Sequence, residues 1–182
     1  MPSRYDDELW ELVPEEPGAP APVLAEFVRG LGRAQQALDV GCGDGRVSAL
    51  LDAGELTLAD VSLVALERAR RRLPKARVVE LDPDAPLPLG DGAFDLVLCA
   101  ETIEHVRDVQ LFLSEARRVL RPGGLLALTT PAAPPLMRPP DPLSPHLRAF
   151  TRRSLRRVLD ELGFELGSLR RRSGTLLALA RR

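Results

Sequence analysis

Ala37-Leu38-Asp39-Val40-Gly41-Cys42-Gly43-Asp44-Gly45-Arg46 is the stretch on which the reading of this chain turns. It has the form of a short apolar strand, a glycine-rich turn and the start of a helix. Gly41, Gly43 and Gly45 admit backbone conformations closed to other residues and let a ligand approach the main chain. A helix opening straight after the turn presents free N–H groups and the positive end of its dipole. That geometry suits a nucleotide-like ligand carrying a carboxylate or a phosphate.

Outward from this point, strands and helices alternate. The pattern predicts a strand at 36–40, a helix from Gly45 to Asp52 and a second strand over Leu56–Asp60. Ser62 reads as the N-cap of a helix through Arg72, which Pro74 closes. A third strand, Arg77–Leu81, leads into a proline-rich loop from Asp82 to Gly92. Strand four is Phe94–Cys99. A helix over Val109–Leu120 is stopped by Arg121-Pro122-Gly123-Gly124, and strand five is Leu125–Thr130. Upstream, residues 22–33 have helical spacing at Val23, Leu24, Phe27, Val28 and Leu31. Downstream, seven prolines between Pro131 and Pro145 exclude a regular element. Thr151 then caps a helix to about Leu162, and two strand-like runs, Phe164–Arg170 and Thr175–Ala180, meet at Ser173-Gly174. The expectation is an α/β fold with a doubly wound seven-stranded sheet, mostly parallel with a C-terminal antiparallel hairpin, and helices on both faces. The chain reads as one domain over 1–182, with an acidic arm or lid at 1–18 and a proline-rich substrate loop at 131–148.

Composition bounds the function. The 182 residues are 45% hydrophobic with a net charge of −1, which gives no global pull toward nucleic acid or membrane. Cys42 and Cys99, the two cysteines, lie in apolar strand-like contexts and make no disulfide framework. No apolar run approaches the roughly 18 residues of a membrane span, and the acidic N-terminus lacks a signal-peptide pattern. A cytoplasmic domain, without a membrane or an obligate protein partner, is expected. Charge is nevertheless uneven. Asp6, Asp7, Glu8, Glu11, Glu15 and Glu16 crowd the N-terminus, and arginines crowd the C-terminal part, including Arg152, Arg153, Arg156, Arg157 and Arg170–Arg172. Two readings of the arginines stay open: a solvated helix face, and a surface for an anionic partner.

A dinucleotide site usually shows Gly-x-Gly-x-x-Gly with an acid about 20 residues on. Here the spacing is Gly-x-Gly-x-Gly, and Asp60 can hold ribose hydroxyls for either kind of ligand. The surroundings break the tie. Four segments occur in order: Leu38–Gly45; Leu58-Ala59-Asp60-Val61-Ser62; Leu81-Asp82 leading to Leu87–Val97; and Glu115-Ala116-Arg117-Arg118-Val119-Leu120-Arg121-Pro122-Gly123-Gly124. Together they resemble the class I S-adenosylmethionine-dependent methyltransferases, in particular the small methyltransferase-domain enzymes, over about residues 22–182. The resemblance implies a Rossmann-like sheet with S-adenosylmethionine as cofactor and S-adenosylhomocysteine as product. It further implies that Gly41, Cys42 and Gly43 pack on the methionine part and that Asp39 orients its ammonium. Asp60 would accept from the ribose hydroxyls, Val61 would lie on the adenine, Asp82 would accept from the adenine amine, and the Ala100 carbonyl would meet the ammonium. In many relatives the residue after the Asp82 position donates its backbone N–H to adenine; here it is Pro83, which has none. Asp91 and Asp95 read as turn residues instead.

Methyl transfer from a sulfonium is an in-line displacement, so alignment and exclusion of water are the main tasks. Glu101-Thr102-Ile103-Glu104-His105 follows strand four, where open sheets bind ligands. Glu101, Glu104 and His105 are therefore the candidate catalytic residues. With His146 they also form a candidate divalent-metal set, Glu-x-x-Glu-His plus a later histidine. Similar arrangements occur in small-RNA ribose 2′-O-methyltransferases and ubiquinone-pathway O-methyltransferases. The alternative is metal-free, with His105 as general base or hydrogen-bonding partner. Tyr5, Trp10, Phe27, Met137 and Phe150 are candidates for an apolar acceptor wall, with core packing preferred for Phe27 and Phe150. Trp10, a large ring in a polar arm, is expected to close over the cofactor. The leading reading is methyl transfer to an oxygen or nitrogen of a small molecule. Metal-assisted RNA ribose 2′-O-methylation, a non-catalytic S-adenosylmethionine-binding protein and an NAD-dependent oxidoreductase are the alternatives.

Overall fold

The structure, a computed structural model, describes residues 4–15, 18–133 and 147–182, with side chains from residue 6 onward. In chain order the elements are α1 (Arg4–Leu12), α2 (Pro22–Arg29), β1 (Arg33–Val40), β2 (Asp52–Asp60), α3 (Leu63–Arg72), β3 (Arg77–Glu80), β4 (Phe94–Ala100), α4 (Val109–Val119), β5 (Leu120–Pro131), α5 (Arg152–Glu161), β6 (Glu165–Arg172) and β7 (Thr175–Arg181). The seven strands form one sheet in the order β3-β2-β1-β4-β5-β7-β6. The first five are mutually parallel, and β7 runs antiparallel to both β5 and β6. This is the expected doubly wound sheet with its terminal hairpin.

Alternation along the central strands explains why both faces are covered. Leu38 and Val40 of β1, Val97 and Cys99 of β4, and Leu126 and Leu128 of β5 share a buried cluster with Leu113 and Ala116 of α4 and Leu155 and Leu159 of α5. Ala37, Leu96, Leu98 and Ala127 point the other way and pack with Leu24 and Val28 of α2. Leu58 of β2 meets Leu66 and Ala69 of α3 in a smaller cluster. Leu155 and Leu159 are fully buried, each contributing about 2 kcal/mol by removal from water. The caps read from sequence are present: Ser62 Oγ accepts from the Ala65 N–H, and Thr151 forms a capping box with Ser154.

Three boundaries differ from the sequence expectation. The helix expected over Gly45–Asp52 is a single 3-10 turn, Ser48–Leu50. The reason is sheet pairing: Asp52–Glu55 pair in parallel with Arg33–Gln36, extending both β1 and β2 beyond their apolar runs and drawing the chain out of a helix. Gly54 permits this, since a Cβ there would lie 2.9 Å from the Gln35 carbonyl oxygen. The dipole of a long helix is therefore not what faces the glycine turn. The arm, expected to hold at most one helical turn around Trp10, contains a nine-residue helix, α1. The Arg121–Gly124 stop lies inside β5, where the register with β4 shifts between Phe94 and Leu96.

Candidate functional site

β1 sits between β2 and β4, so the connections that leave β1 and β4 diverge and open a crevice at their carboxyl ends. A cavity of about 450 Å³ lies there, within the size range of small-molecule and cofactor sites. Gly41 and Gly43 form its floor with φ of +76° and +54°. Asp60 and Val61, at the end of β2, and Asp82, after β3, line one side; Glu101 and His105, after β4, line the other.

Asp60 is the hinge of this arrangement. Its Oδ2 accepts the Gly43 N–H at 2.8 Å and its Oδ1 the Ser62 N–H at 3.0 Å. One carboxylate thus ties the glycine turn to the start of α3, and each oxygen keeps a lone pair. Burial pushes the Asp60 carboxyl above its ordinary value, against the backbone N–H groups of Ser62, Gly43 and Val61, which favour the charge. Asp39 sits behind the turn, 1% exposed. Its Oδ2 accepts from Ser48 Oγ at 2.6 Å, and its Oδ1 has no hydrogen-bond partner among the described residues. Burial raises Asp39 to about 7; the Ser48 hydrogen bond opposes the shift and the nearby Asp60 charge adds to it.

Of the cofactor residues expected from sequence, Gly41, Gly43, Asp60, Val61 and Asp82 line the cavity, whereas Asp39, Cys42 and Ala100 do not. Cys42 turns into the small cluster with α3. The Ala100 carbonyl accepts from Thr102 Oγ at 3.2 Å, as does the Val40 carbonyl. Asp95 and Asp91 are structural, as read from sequence. Asp95 accepts from the Gln35 and Gln36 N–H groups, and Asp91 pairs with Arg118. Phe150 belongs to the buried core, and Phe27 packs partly buried against the opposite cluster.

After β4 the chain turns sharply. Glu101 has φ +54°, a left-handed conformation rare outside glycine. Thr129 of β5 holds it from both sides: the Glu101 N–H donates to the Thr129 carbonyl at 3.1 Å, and Thr129 Oγ donates to Glu101 Oε1 at 2.8 Å. Glu104 is 2% exposed and does not line the cavity. Its Oε2 accepts from Thr130 Oγ at 2.9 Å, while Oε1 has no hydrogen-bond partner among the described residues and lies 4.0 Å from His105 Nε2. Burial raises the Glu104 carboxyl; a backbone N–H and Thr130 oppose this.

The described residues lend the metal expectation no support. Among the described residues no three histidine, cysteine, aspartate or glutamate side chains are grouped to hold a metal ion. Glu101 and Glu104 are drawn apart, one to Thr129 and one to Thr130 on successive residues of a strand whose side chains alternate in direction. His146, the fourth expected ligand, lies outside the described residues, as do Met137, most of the expected substrate loop and the Tyr5 side chain.

Sequence reasoning missed the groups that dock the arm. Asp7 Oδ1 accepts from Ser62 Oγ at 2.6 Å and from the Val64 N–H at 3.2 Å, at the start of α3. Arg68 donates to the Val13 carbonyl at 2.9 Å and stands 5.9 Å from the centre of the Trp10 ring. Asp7 was hidden in a general acidic run. Thr129 and Thr130 did carry a signal, as two hydroxyls closing a buried apolar strand.

Three comparisons bear on this geometry. A family model described as "Methyltransferase domain" matches residues 38–128. The chain is 33% identical over 135 residues to a Mycobacterium tuberculosis protein named a probable S-adenosylmethionine-dependent methyltransferase, covering 72% of this chain and 49% of that protein. It is 40% identical over 103 residues to the malonyl-[acyl-carrier protein] O-methyltransferase of Enterobacter lignolyticus, covering 56% of this chain and 41% of that protein. The chain spans about half or less of the length of these relatives. The fold matches a crystal structure of a SAM-dependent methyltransferase from Aquifex aeolicus with a TM-score of 0.69 at 22% identity, over 99% of this chain and 97% of that one. No helix among the described residues is long and apolar enough to cross a membrane.

Proposed function

The chain belongs to the methyltransferase-domain family, within the class I S-adenosylmethionine-dependent methyltransferases, and we propose that it transfers a methyl group from S-adenosylmethionine to an oxygen or nitrogen of a small molecule. The observation that carries this reading is Asp60, a buried carboxylate at the cavity wall whose two oxygens are oriented by the Gly43 and Ser62 N–H groups. A carboxylate fixed in this way suits two adjacent hydroxyls of a ribose. The donor set fits the cofactor elsewhere too. The main chain at Gly41 and Gly43 lines the cavity, and Asp39 Oδ1, without a hydrogen-bond partner among the described residues, supplies negative charge behind the turn. When bound, S-adenosylmethionine supplies an electrophilic methyl group on a sulfonium.

This chain's own residues then have three tasks. Asp60 and the glycine turn hold one reactant. Trp10 and α1 cover the turn and exclude water. His105, at the cavity wall, accepts the proton that the acceptor's O–H or N–H must lose. The Glu104 carboxyl stands 4.0 Å from His105 Nε2. An O-methyltransferase among the relatives supports an oxygen acceptor.

Calorimetry with S-adenosylhomocysteine tests the cofactor half: binding is expected in the wild type and a loss of about 30-fold or more in Asp60→Ala. Unchanged affinity in that variant removes the reading. Turnover against a panel of hydroxy, carboxy and amino acceptors tests the other half. His105→Gln is expected to lower kcat by about 100-fold or more while S-adenosylhomocysteine affinity is kept.

A further inference from the structure

The cavity's adenine end has an unusual supply of hydrogen-bond donors, and the inference below rests on reading the cavity as an S-adenosylmethionine site. The edge of adenine sets an amino donor beside a ring acceptor, N1. A complementary protein edge therefore needs an acceptor beside a donor. The loop after β3 supplies the acceptor, since Asp82 lines the cavity. The three residues that follow cannot supply the donor. Pro83 has no N–H. The Asp84 N–H is spent on Asp82 Oδ1 at 3.0 Å, and the Ala85 N–H on the Asp82 carbonyl at 3.2 Å. Leu87 donates away from the loop, to Glu115 Oε2 at 2.8 Å.

The opposite wall does carry a donor. Among the described residues that line the cavity, the side chains with N–H groups are Trp10, His105 and Arg107. Trp10 lies on Gly43 and His105 stands beside Glu104. Arg107 faces the Asp82–Ala85 loop instead: its Nη1 is 3.6 Å from Asp84 Oδ2. Its backbone is held as well, the Arg107 carbonyl accepting from Arg148 Nη2 at 2.8 Å. The Arg107–Asp84 pair is about two-thirds exposed on both sides, so it contributes little to folding. It does bridge the two loops that flank this end of the cavity.

We propose that Arg107 is the side chain that reads adenine N1, in place of a backbone N–H, with Asp84 as its positioning residue. A guanidinium has five N–H groups in a rigid fork, enough to serve Asp84 and a ring nitrogen together.

The test titrates wild type and Arg107→Met with S-adenosylhomocysteine and with its 1-deaza analogue, in which N1 is replaced by C–H. The wild type is expected to bind the analogue about tenfold more weakly. Arg107→Met is expected to bind S-adenosylhomocysteine about tenfold more weakly and to lose the discrimination between the two. Arg107 is exposed, so an unchanged thermal midpoint is expected for the variant. Equal binding of both ligands by the wild type overturns the proposal, as does full discrimination retained in the variant. A wild type that binds neither ligand defeats the methyltransferase reading itself; one that binds both equally removes only the role of Arg107.

Discussion

Trp10 occupies the space in which a side chain at Gly43 would begin: a Cβ there would lie 2.6 Å from the indole Cζ2 and 2.8 Å from Cη2. The arm and the glycine turn are thus complementary surfaces, and glycine at 43 is required by contact as well as by its φ of +54°. Asp7 on the start of α3 and Arg68 on the Val13 carbonyl hold the helix in that place.

Trp10 is the only tryptophan, so its emission reports on the arm directly. Titration with S-adenosylhomocysteine is expected to shift the emission maximum, and Trp10→Ala to weaken binding by about tenfold, the scale of one buried aromatic contact. Unshifted emission during saturation measured by calorimetry would show that the arm does not cover the ligand.

Gly41 has a similar constraint on its other side. A Cβ at 41 would meet Thr102, with Oγ1 at 2.6 Å and Cβ at 3.0 Å. Gly41→Ala is expected to cost about 2 kcal/mol or more, from overpacking together with a φ of +76°. Thr102→Ala in the same chain is expected to restore about half of that, because the strain at φ stays. Additive losses in a denaturant double-mutant cycle would show that the two residues do not share the space.

Asp39 links stability to pH. Its carboxyl is raised from 3.8 to about 7, chiefly by burial. Between those two values the folded chain keeps a proton that the unfolded chain has lost. The wild type therefore loses stability as pH rises through this window and gains none back above it. Asp39→Asn, which still accepts from Ser48, is expected to melt with the wild type near pH 4 and about 5 °C above it at pH 8. Scanning fluorimetry across the range checks this. The same variant is expected to bind S-adenosylhomocysteine more weakly at pH 8, where the missing charge would have acted on the ligand's ammonium from behind the turn.

Glu101 separates stability from function. Glycine relieves its left-handed backbone, worth about 1 kcal/mol, and loses the Thr129 Oγ hydrogen bond, worth about the same. Glu101→Gly is therefore expected to unfold within about 1 kcal/mol of the wild type and, because Glu101 lines the cavity beside His105, to lower turnover. Thr129→Val leaves the Glu101 carboxylate without that donor and is expected to cost about 1–2 kcal/mol. Equilibrium denaturation of both variants decides. A large loss in Glu101→Gly alone would mean that its side chain is structural.

The strands, the terminal hairpin and both helix caps were legible because they follow from local chemistry. Leu38 and Val40 alternate with Ala37 and Asp39, Ser62 precedes an apolar run, and Ser173-Gly174 permits a tight turn. The glycine turn and Asp60 were legible for the same reason, each standing at a strand end, and Asp82 through the family resemblance. The helix expected after Gly45 was not, because pairing of Asp52–Glu55 with Arg33–Gln36 outweighs local helical preference.

Sequence alone determined the sheet, its winding and the edge on which a ligand would lie, since hydrophobic period and turn residues are properties of neighbouring positions. Tertiary structure alone decided which of the candidates meet. Asp39 and Glu104 are withdrawn behind the cavity, Glu101 and Glu104 are divided between Thr129 and Thr130, and Trp10 comes to rest on Gly43 across 33 positions of chain. Hydrogen bonds and close packing between distant segments depend on where each backbone passes in space, and that is set only when the whole sheet has closed.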